Sequence, residues 1–547
     1  MQVVYNKKNI NLNYLNAYVK SFIDDDYLYL YNTLYNKKII LKSSNNNLKE
    51  LLAVLHRGTN YRQLIKILQK ISDRPKNLYE YLLQNFIVEW GDVMKKELLK
   101  KFNIDNNFYV DDIFVFTNES NKYSFLLNKN GCSMIVDEEL LNSIKRKNIE
   151  ENLKFKMLQH GLAKLKNPKI STSREKNKNI YFIIDVTKKC NFNCLYCFRN
   201  LDDNRIIEND KLRDICSYIL DITKKRKLKH VTVQVWGGEP LLAIDKLEFV
   251  YNFFQDTDIM LKIDIETNGS LITDSIAKKL FDMKVNVGVS LDGTKKHQDI
   301  QRRLINDKSS NKMVTEGIKN LKKYYRDDVS GITVVTKYNY TDIADIINYF
   351  TNELKISSMK FNIVKDNPNA NEDKIGLSLE EVKLFANKLF DVVELYNLLG
   401  IKFSEGNIQM RISNLNERSN NSYCISNGCK GGINLLSIDM NGDIYPCEMM
   451  DYKNVKIGSI YKDGKLSSNC ELISQINKSK KNNIYFQKKI NSKCKTCPWQ
   501  YYCKGGCTSR IIYSNGKMKY DEVECEFNKI IYERIIEQML KNIRLGG

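Results

Sequence analysis

The feature that most constrains the fold of this 547-residue chain is an alternation of short β-rich runs with amphipathic stretches between residues 178 and 375. The stretches between the runs, such as residues 209–222, have helical periodicity. This alternation predicts a parallel sheet with helices on its outer face, and we expect an α/β fold centred on a partial (β/α)6, TIM-like barrel. In such a barrel, chemistry belongs at the carboxyl ends of the strands. The six runs are residues 181–186, 231–236, 262–268, 286–291, 331–336 and 359–364.

Three cysteines directly follow the first run. Cys190, Cys194 and Cys197 form a C-x3-C-x2-C group, which places three thiols on the loop that leaves the first strand. Three thiolates can hold three irons of a [4Fe–4S] cluster and leave the fourth iron open. A lone C-x2-C would also suit zinc or redox chemistry, so the other strand ends decide between these readings.

Glycines and polar residues stand at the ends of the next three runs. Glycine lets the backbone approach a ligand where a side chain would collide. Arg302 follows in the next stretch, with Arg303 as a competing candidate. The residues at the three ends are Gly237, Gly238, Glu239 and Pro240, then Asn268, then Ser290 and Asp292.

Together with Tyr196, directly before the last cysteine of the group, this set of residues resembles the radical S-adenosylmethionine (SAM) superfamily. The resemblance implies a [4Fe–4S] cluster on the three thiols and SAM bound at its open iron. It also implies that SAM is cleaved to methionine and a 5′-deoxyadenosyl radical, which abstracts hydrogen from a substrate. The SAM-binding residues that it implies are Tyr196, Gly237, Gly238, Glu239, Pro240, Asn268, Ser290, Asp292 and Arg302.

Nine further cysteines lie between residues 424 and 525, and one of them, Cys470, stands apart from the others. The order of the seven others from Cys429 to Cys525 resembles the SPASM domain of peptide-modifying radical SAM enzymes, with Cys424 placed to be an eighth ligand. That domain carries two auxiliary [4Fe–4S] clusters, so the chain would hold three clusters in all. A pair of structural zinc sites is the alternative. The resemblance assigns the first auxiliary cluster to Cys424, Cys429, Cys447 and Cys507, and the second to Cys494, Cys497, Cys503 and Cys525.

Glu448 directly follows Cys447. Sulfatase-maturating enzymes, which residues 440–460 resemble, carry an aspartate at this position as the proposed base. The resemblance implies a catalytic role for Glu448, with a solvated surface carboxylate as the alternative.

The first 170 residues contain one plan twice. A hairpin-like pair at residues 27–32 and 37–42 is followed by helical periodicity, and residues 105–166 repeat this order. We interpret the pattern as two diverged winged-helix-like units. Many maturases of ribosomally made peptides use such an element to capture a leader peptide as an added strand; DNA binding is the alternative.

These observations predict five segments: a winged-helix-like peptide-recognition domain (1–95), a second small α+β unit with a linker (96–172), the radical SAM partial barrel (173–375), a helical linker (376–420) and a small cysteine-rich iron–sulfur domain (421–547). The net charge is +21, but the lysines are scattered, so we attribute it to a Lys/Asn bias rather than to a nucleic-acid site. No apolar run is long enough for a membrane span or a signal peptide, so we expect a cytoplasmic protein without disulfides.

We therefore expect a peptide maturase that forms a thioether or carbon–carbon crosslink. The first alternative is an anaerobic sulfatase maturase, which makes formylglycine from Cys or Ser. A radical SAM enzyme of small molecules and a cluster-based sensor are further alternatives. The expected partners are a precursor peptide or protein and an electron donor such as flavodoxin or ferredoxin.

Overall fold

The chain divides into an N-terminal pair of small units, a central parallel sheet and a C-terminal cysteine-rich segment. The computed structural model describes residues 4–5, 19–24, 26–32, 37–57, 59, 61–84, 88, 108–110, 112–117, 122–165, 180–199, 203–325, 329–365, 375–417, 429–450, 455–467, 485, 491–514 and 519–543. Within these ranges, no helix is long and apolar enough to cross a bilayer.

The two N-terminal units each combine an antiparallel strand pair with helices. Buried side chains of both units, among them Leu51, Leu82, Val136 and Leu153, belong to one apolar cluster, so the units share a core. The expected order of a strand pair followed by helices thus occurs twice, while the winged-helix assignment stays a prediction. The first unit contains strands Val19–Asp24, Tyr27–Asn32 and Lys37–Lys42 and helices Asn45–Arg57, Tyr61–Leu68 and Pro75–Gln84. The second contains strands Val4–Tyr5, Phe108–Val110, Ile113–Thr117, Tyr123–Asn128, Ser133–Asp137 and Ala163–Leu165 and helices Glu138–Lys145 and Glu151–Gln159.

Each of the six predicted β-rich runs is a strand, and the six strands are adjacent and parallel in chain order. The expected α/β organisation is therefore confirmed. In chain order, these barrel strands are Tyr181–Thr187, His230–Gly237, Met260–Thr267, Asn286–Ser290, Ser330–Val335 and Ser358–Ile363. The main helices that alternate with them are Asn209–Lys225, Ile244–Gln255, Asp274–Asp282, Asn311–Tyr325 and Ile343–Asn348.

The sheet is longer than the sequence predicted. Ser404–Glu405 pairs in parallel with the sixth barrel strand, and Leu435–Ile438 pairs in parallel with the first. Antiparallel strands Asp443–Tyr445 and Gly458–Ser459 continue from Leu435–Ile438. The cysteine-rich segment therefore begins as an extension of the central sheet. Further helices are Leu379–Leu398, Gly406–Glu417, Thr508–Tyr513 and Glu522–Asn542.

Side chains alternate between the two faces of each barrel strand, and this alternation positions the site. In the third strand, Ile263 and Ile265 belong to the apolar core under the helices. Glu266, the next residue, points the other way and lines the interior cavity. In the sixth strand, Phe361 is in the core and its neighbour Lys360 lines the cavity.

The second N-terminal unit packs on the cysteine-rich segment. Phe116 stacks on Trp499 with ring centroids 5.1 Å apart, and the Tyr502 hydroxyl donates to the Gly131 carbonyl oxygen at 2.9 Å. A Cβ at Gly131 would lie 2.4 Å from the ring of Tyr501, and this glycine has φ of 73°. Glycine is therefore required at this contact.

Candidate active site

A cavity of about 520 Å³ lies inside the barrel, lined by residues from all six strands and from the C-terminal segment. This volume is in the range of small-molecule and cofactor sites. Among the residues predicted from sequence, Pro240 and Asp292 are buried outside the lining. The predicted residues that line the cavity are Cys190, Cys194, Tyr196, Cys197, Gly237, Gly238, Glu239, Asn268, Ser290, Arg302 and Glu448.

The three thiols after the first barrel strand converge on this cavity. Cys197 is close enough to raise the pKa of Cys190, and Cys197 and Cys190 are close enough to raise the pKa of Cys194. Burial raises the pKa of Cys190 to about 11 and that of Cys194 to about 12, so both thiols are protonated at neutral pH until a metal displaces the protons. No three His, Cys, Asp or Glu side chains in the described ranges could share a single metal ion. A [4Fe–4S] cluster instead takes each thiolate on its own iron. A set of three thiols on one cavity wall fits such a cluster.

The glycines after the second barrel strand make room for the loop that carries these thiols. A Cβ at Gly237 would lie 2.4 Å from the Thr187 carbonyl oxygen, and one at Gly238 would lie 2.4 Å from that of Lys189. The Gly238 amide also donates to the Thr187 oxygen at 2.8 Å. The close approach expected from the sequence is therefore made to the chain's own backbone.

Glu239 ties the second strand end to the third. Its buried carboxylate accepts hydrogen bonds from the Thr267 hydroxyl at 2.6 Å and from the amides of Asn268 at 2.7 Å and Leu241 at 3.1 Å. Burial raises the pKa of Glu239, while these three donors oppose the shift. The Asn268 side chain continues the network, because it donates to Asn191 in the cysteine loop at 2.8 Å.

Arg302, rather than Arg303, faces the cavity. The Arg302 guanidinium donates to the Tyr196 hydroxyl at 2.6 Å, and that hydroxyl donates to Asp292 at 2.5 Å. Arg303 is exposed and donates to the Asp299 carbonyl oxygen. Asp292 also accepts from the amide of Val334, so it holds Tyr196 from behind the cavity wall.

Sequence reasoning missed a polar group deeper in the barrel. The Tyr181 hydroxyl lies within hydrogen-bonding distance of Asp264 at 3.0 Å and of Gln234 at 3.2 Å. Gln234 is a hydrogen-bond partner of Glu266, and the Lys360 ammonium lowers the pKa of the same carboxylate. Burial raises the pKa of Glu266 to about 7. The signal that could have found these residues is the polar alternation within strands that a barrel buries on both faces.

Buried polar atoms of the lining that lack a hydrogen-bond partner among the described residues include Glu448 Oε2, Trp236 Nε1 and Arg302 Nε. Glu448 opens a short 3-10 helix, Glu448–Met450, directly after Cys447. Unpaired buried polar groups are rare in native proteins and mark sites that a ligand or water completes. The cavity therefore offers an acceptor at Glu448 and donors at Trp236 and Arg302 to a bound molecule.

The C-terminal thiols form two groups. Tyr485 identifies the first: its hydroxyl lies 2.7 Å from Cys429 Sγ. Its pKa is raised by burial and by Cys429, Cys447 and Cys507, which are therefore neighbours. Cys424 lies outside the described residues. The second group lines a separate small cavity and consists of Cys494, Cys497, Cys503 and Cys525.

Residues 184–350 match the family model described as the radical SAM superfamily. The chain is 27% identical over 368 residues to the cysteine-type anaerobic sulfatase-maturating enzyme of Clostridium novyi, covering 64% of this chain and 94% of that one. It is also 27% identical over 383 residues to the radical SAM cyclopropyl synthase TigE of Paramaledivibacter caminithermalis, covering 65% and 74%.

A solved structure described as "Native anSMEcpe with bound AdoMet and Cp18Cys peptide" shares the fold. Its TM-score is 0.57 at 22% identity, covering 66% of this chain and 98% of that one. About a third of the present chain therefore has no counterpart in that structure.

Proposed function

Because the chain is a member of the radical SAM superfamily through its domain at residues 184–350, we propose that it modifies a ribosomally made peptide by hydrogen abstraction, forming a thioether or carbon–carbon crosslink. Cys190, Cys194 and Cys197 would hold the SAM-binding cluster. When bound, that cluster supplies the electron that cleaves SAM to the 5′-deoxyadenosyl radical. The protein's own part is to bind and orient SAM and substrate and to exclude water.

The observation that supports a peptide substrate is that the cavity wall has both an unpaired donor and an unpaired acceptor. Trp236 Nε1 can donate to a carbonyl oxygen and Glu448 Oε2 can accept from an N–H group. A peptide amide offers both partners.

The additional N-terminal part favours a peptide with a leader. Its first unit carries the three-stranded antiparallel sheet Val19–Asp24, Tyr27–Asn32 and Lys37–Lys42. An extended peptide can add to the edge of such a sheet through main-chain hydrogen bonds. We propose this sheet as the leader-binding element.

Eight of the C-terminal cysteines would hold two auxiliary [4Fe–4S] clusters, with Cys424, Cys429, Cys447 and Cys507 on the first and Cys494, Cys497, Cys503 and Cys525 on the second. Eight thiolates saturate two cubes, so the clusters would carry electrons rather than bind substrate. The electron for SAM cleavage would come from a carrier such as flavodoxin or ferredoxin.

Sulfatase maturation is the second candidate. The similarity to the Clostridium novyi enzyme covers 94% of that protein, and Glu448 in the cavity wall could accept the proton released when Cys or Ser is oxidised to formylglycine.

One experiment separates the two candidates. Anaerobically reconstituted enzyme with SAM and a reductant would be offered a short peptide encoded beside its gene and, separately, a sulfatase peptide containing Cys or Ser. We expect the first to lose two hydrogens by mass spectrometry and the second to stay unchanged. Formylglycine in the sulfatase peptide, with the neighbouring peptide unmodified, would select the second candidate. The Glu448→Gln variant serves as the control, since it keeps the side-chain size but lacks a carboxylate.

A further inference from the structure

Lys365 contacts both the barrel cavity and a thiol of the C-terminal segment. It lies just after the sixth barrel strand, Ser358–Ile363, and lines the cavity. Its ammonium donates to Cys507 Sγ at 3.4 Å, across 142 residues of sequence. One cation therefore stands between the proposed substrate site and a proposed ligand of the first auxiliary cluster.

Two acidic side chains near this contact have arginine partners of their own. Asp521, which accepts a hydrogen bond from the Cys507 amide at 3.1 Å, pairs with buried Arg510 at 3.2 Å. Glu524, which also interacts with Lys365, pairs with Arg411 at 2.7 Å. Because each carboxylate is balanced by a guanidinium, much of the ammonium's field remains at the sulfur.

The Cys507 sulfur has a second polar neighbour, the Ser509 hydroxyl, at 2.9 Å. Charge near a cluster and hydrogen bonds to its sulfurs are two of the features that set its reduction potential, along with cluster type and solvent exposure. A one-electron reduction adds one negative charge to the cluster, and a neighbouring cation stabilises that added charge.

We propose that Lys365 raises the reduction potential of the first auxiliary cluster and so prepares it to take an electron from the barrel cavity. This inference rests on the proposed function, since it requires the auxiliary cluster. In the reaction, the substrate radical would lose one electron to that cluster and one proton to the site, and the oxidised product would form. Lys365 is a positioning residue that acts through Cys507.

The test is a redox titration of the full chain, in which electron paramagnetic resonance monitors the reduction of the clusters. The background carries Ala at Cys190, Cys194 and Cys197, so that only auxiliary clusters contribute. In Lys365→Met, we expect one of the two auxiliary waves to move negative by at least about 59 mV, a tenfold lower reduced-to-oxidised ratio at a fixed potential, while the other wave stays in place.

Two variants control for charge and for position. Lys365→Arg keeps the charge and should retain the parent potential. Lys360→Met removes a different cavity lysine and should also leave both waves unchanged. Iron content must match the parent in each variant.

Four outcomes would overturn the inference: unmoved waves in Lys365→Met, equal movement of both waves, an Arg variant that shifts like the Met variant, or a Lys360→Met variant that reproduces the shift. A parent protein with no auxiliary signal at all would instead refute the proposed auxiliary clusters, and the inference with them.

Discussion

The ionisation of Glu266 in the barrel cavity gives a prediction that needs no cofactor. Burial raises its pKa from 4.5 to about 7; Glu448 and Asp264 add to the shift, and the Lys360 ammonium opposes it. The native state therefore holds a proton that the unfolded chain releases between these two pH values. Folding stability should fall as the pH rises from about 4.5 to about 7 and then level off.

The magnitude follows from the size of the shift. A rise from 4.5 to about 7 corresponds to ~3 kcal/mol at 1.36 kcal/mol per unit, and the half-buried position of Glu266 reduces this to an expected ~1–3 kcal/mol. Glu266→Gln keeps the size and a hydrogen bond to Gln234 but cannot ionise. The free energy of unfolding of the variant should exceed that of the parent by ~1–3 kcal/mol at pH 8, and by under ~1 kcal/mol at pH 5.

The assay is thermal unfolding of the iron-free chain, followed by circular dichroism between pH 5 and 8. Midpoints are compared because a chain of several parts does not unfold in one step. Taking the difference between variant and parent cancels the other titrating groups. The Lys360 ammonium lowers the pKa of Glu266. In Lys360→Met, the pH range over which stability falls should therefore move to higher pH. A difference that is constant with pH, or that shrinks as the pH rises, would refute the assignment.

Three further predictions concern the clusters and the N-terminal contact. Replacing all three thiols of the C-x3-C-x2-C group by Ala should remove about four of about twelve irons and abolish 5′-deoxyadenosine, so retained cleavage of SAM would contradict the assignment. Cys494→Ala with Cys497→Ala should keep deuterium transfer from labelled substrate to 5′-deoxyadenosine but lower product steeply; near-parent turnover in a folded variant would indicate a bracing role. Gly131→Val should clash with Tyr501, destabilise the N-terminal contact by ~1–3 kcal/mol and speed proteolysis there, with SAM cleavage retained; unchanged proteolysis would argue against the contact.

The central fold was predictable because its signals are local. Each barrel strand contains a short β-rich run, and the C-x3-C-x2-C group directly follows the first of these runs in the sequence. The strand Leu435–Ile438 was not predicted, because it pairs with Tyr181–Thr187 more than 240 residues earlier, and a pairing at that distance leaves no trace in a short window.

The site was predictable in its residue types more than in its contacts. The sequence indicated that Gly238 approaches something closely, but not that its neighbour is the Lys189 carbonyl oxygen. Asp292 was expected beside SAM, which stays a prediction, and the sequence did not indicate that Asp292 accepts a hydrogen bond from Tyr196. Lys365 and Tyr485 carried no signal, because one lysine or tyrosine in a chain rich in both cannot be singled out without its partner in space.

The packing of Phe116 and Gly131 on the aromatic rings of the cysteine-rich segment has a consequence for the behaviour of the enzyme in air. A ligand that binds only the native state stabilises that state, so iron held by the cysteine-rich segment would also stabilise the second N-terminal unit, which packs on it. Oxygen damage to the clusters would then weaken the binding of a peptide by the N-terminal part before the barrel itself unfolds. Substrate release would become an early sign of oxidation. Removal of the second N-terminal unit would expose the buried Trp499 side chain to water, so such a truncation would also destabilise the cysteine-rich segment.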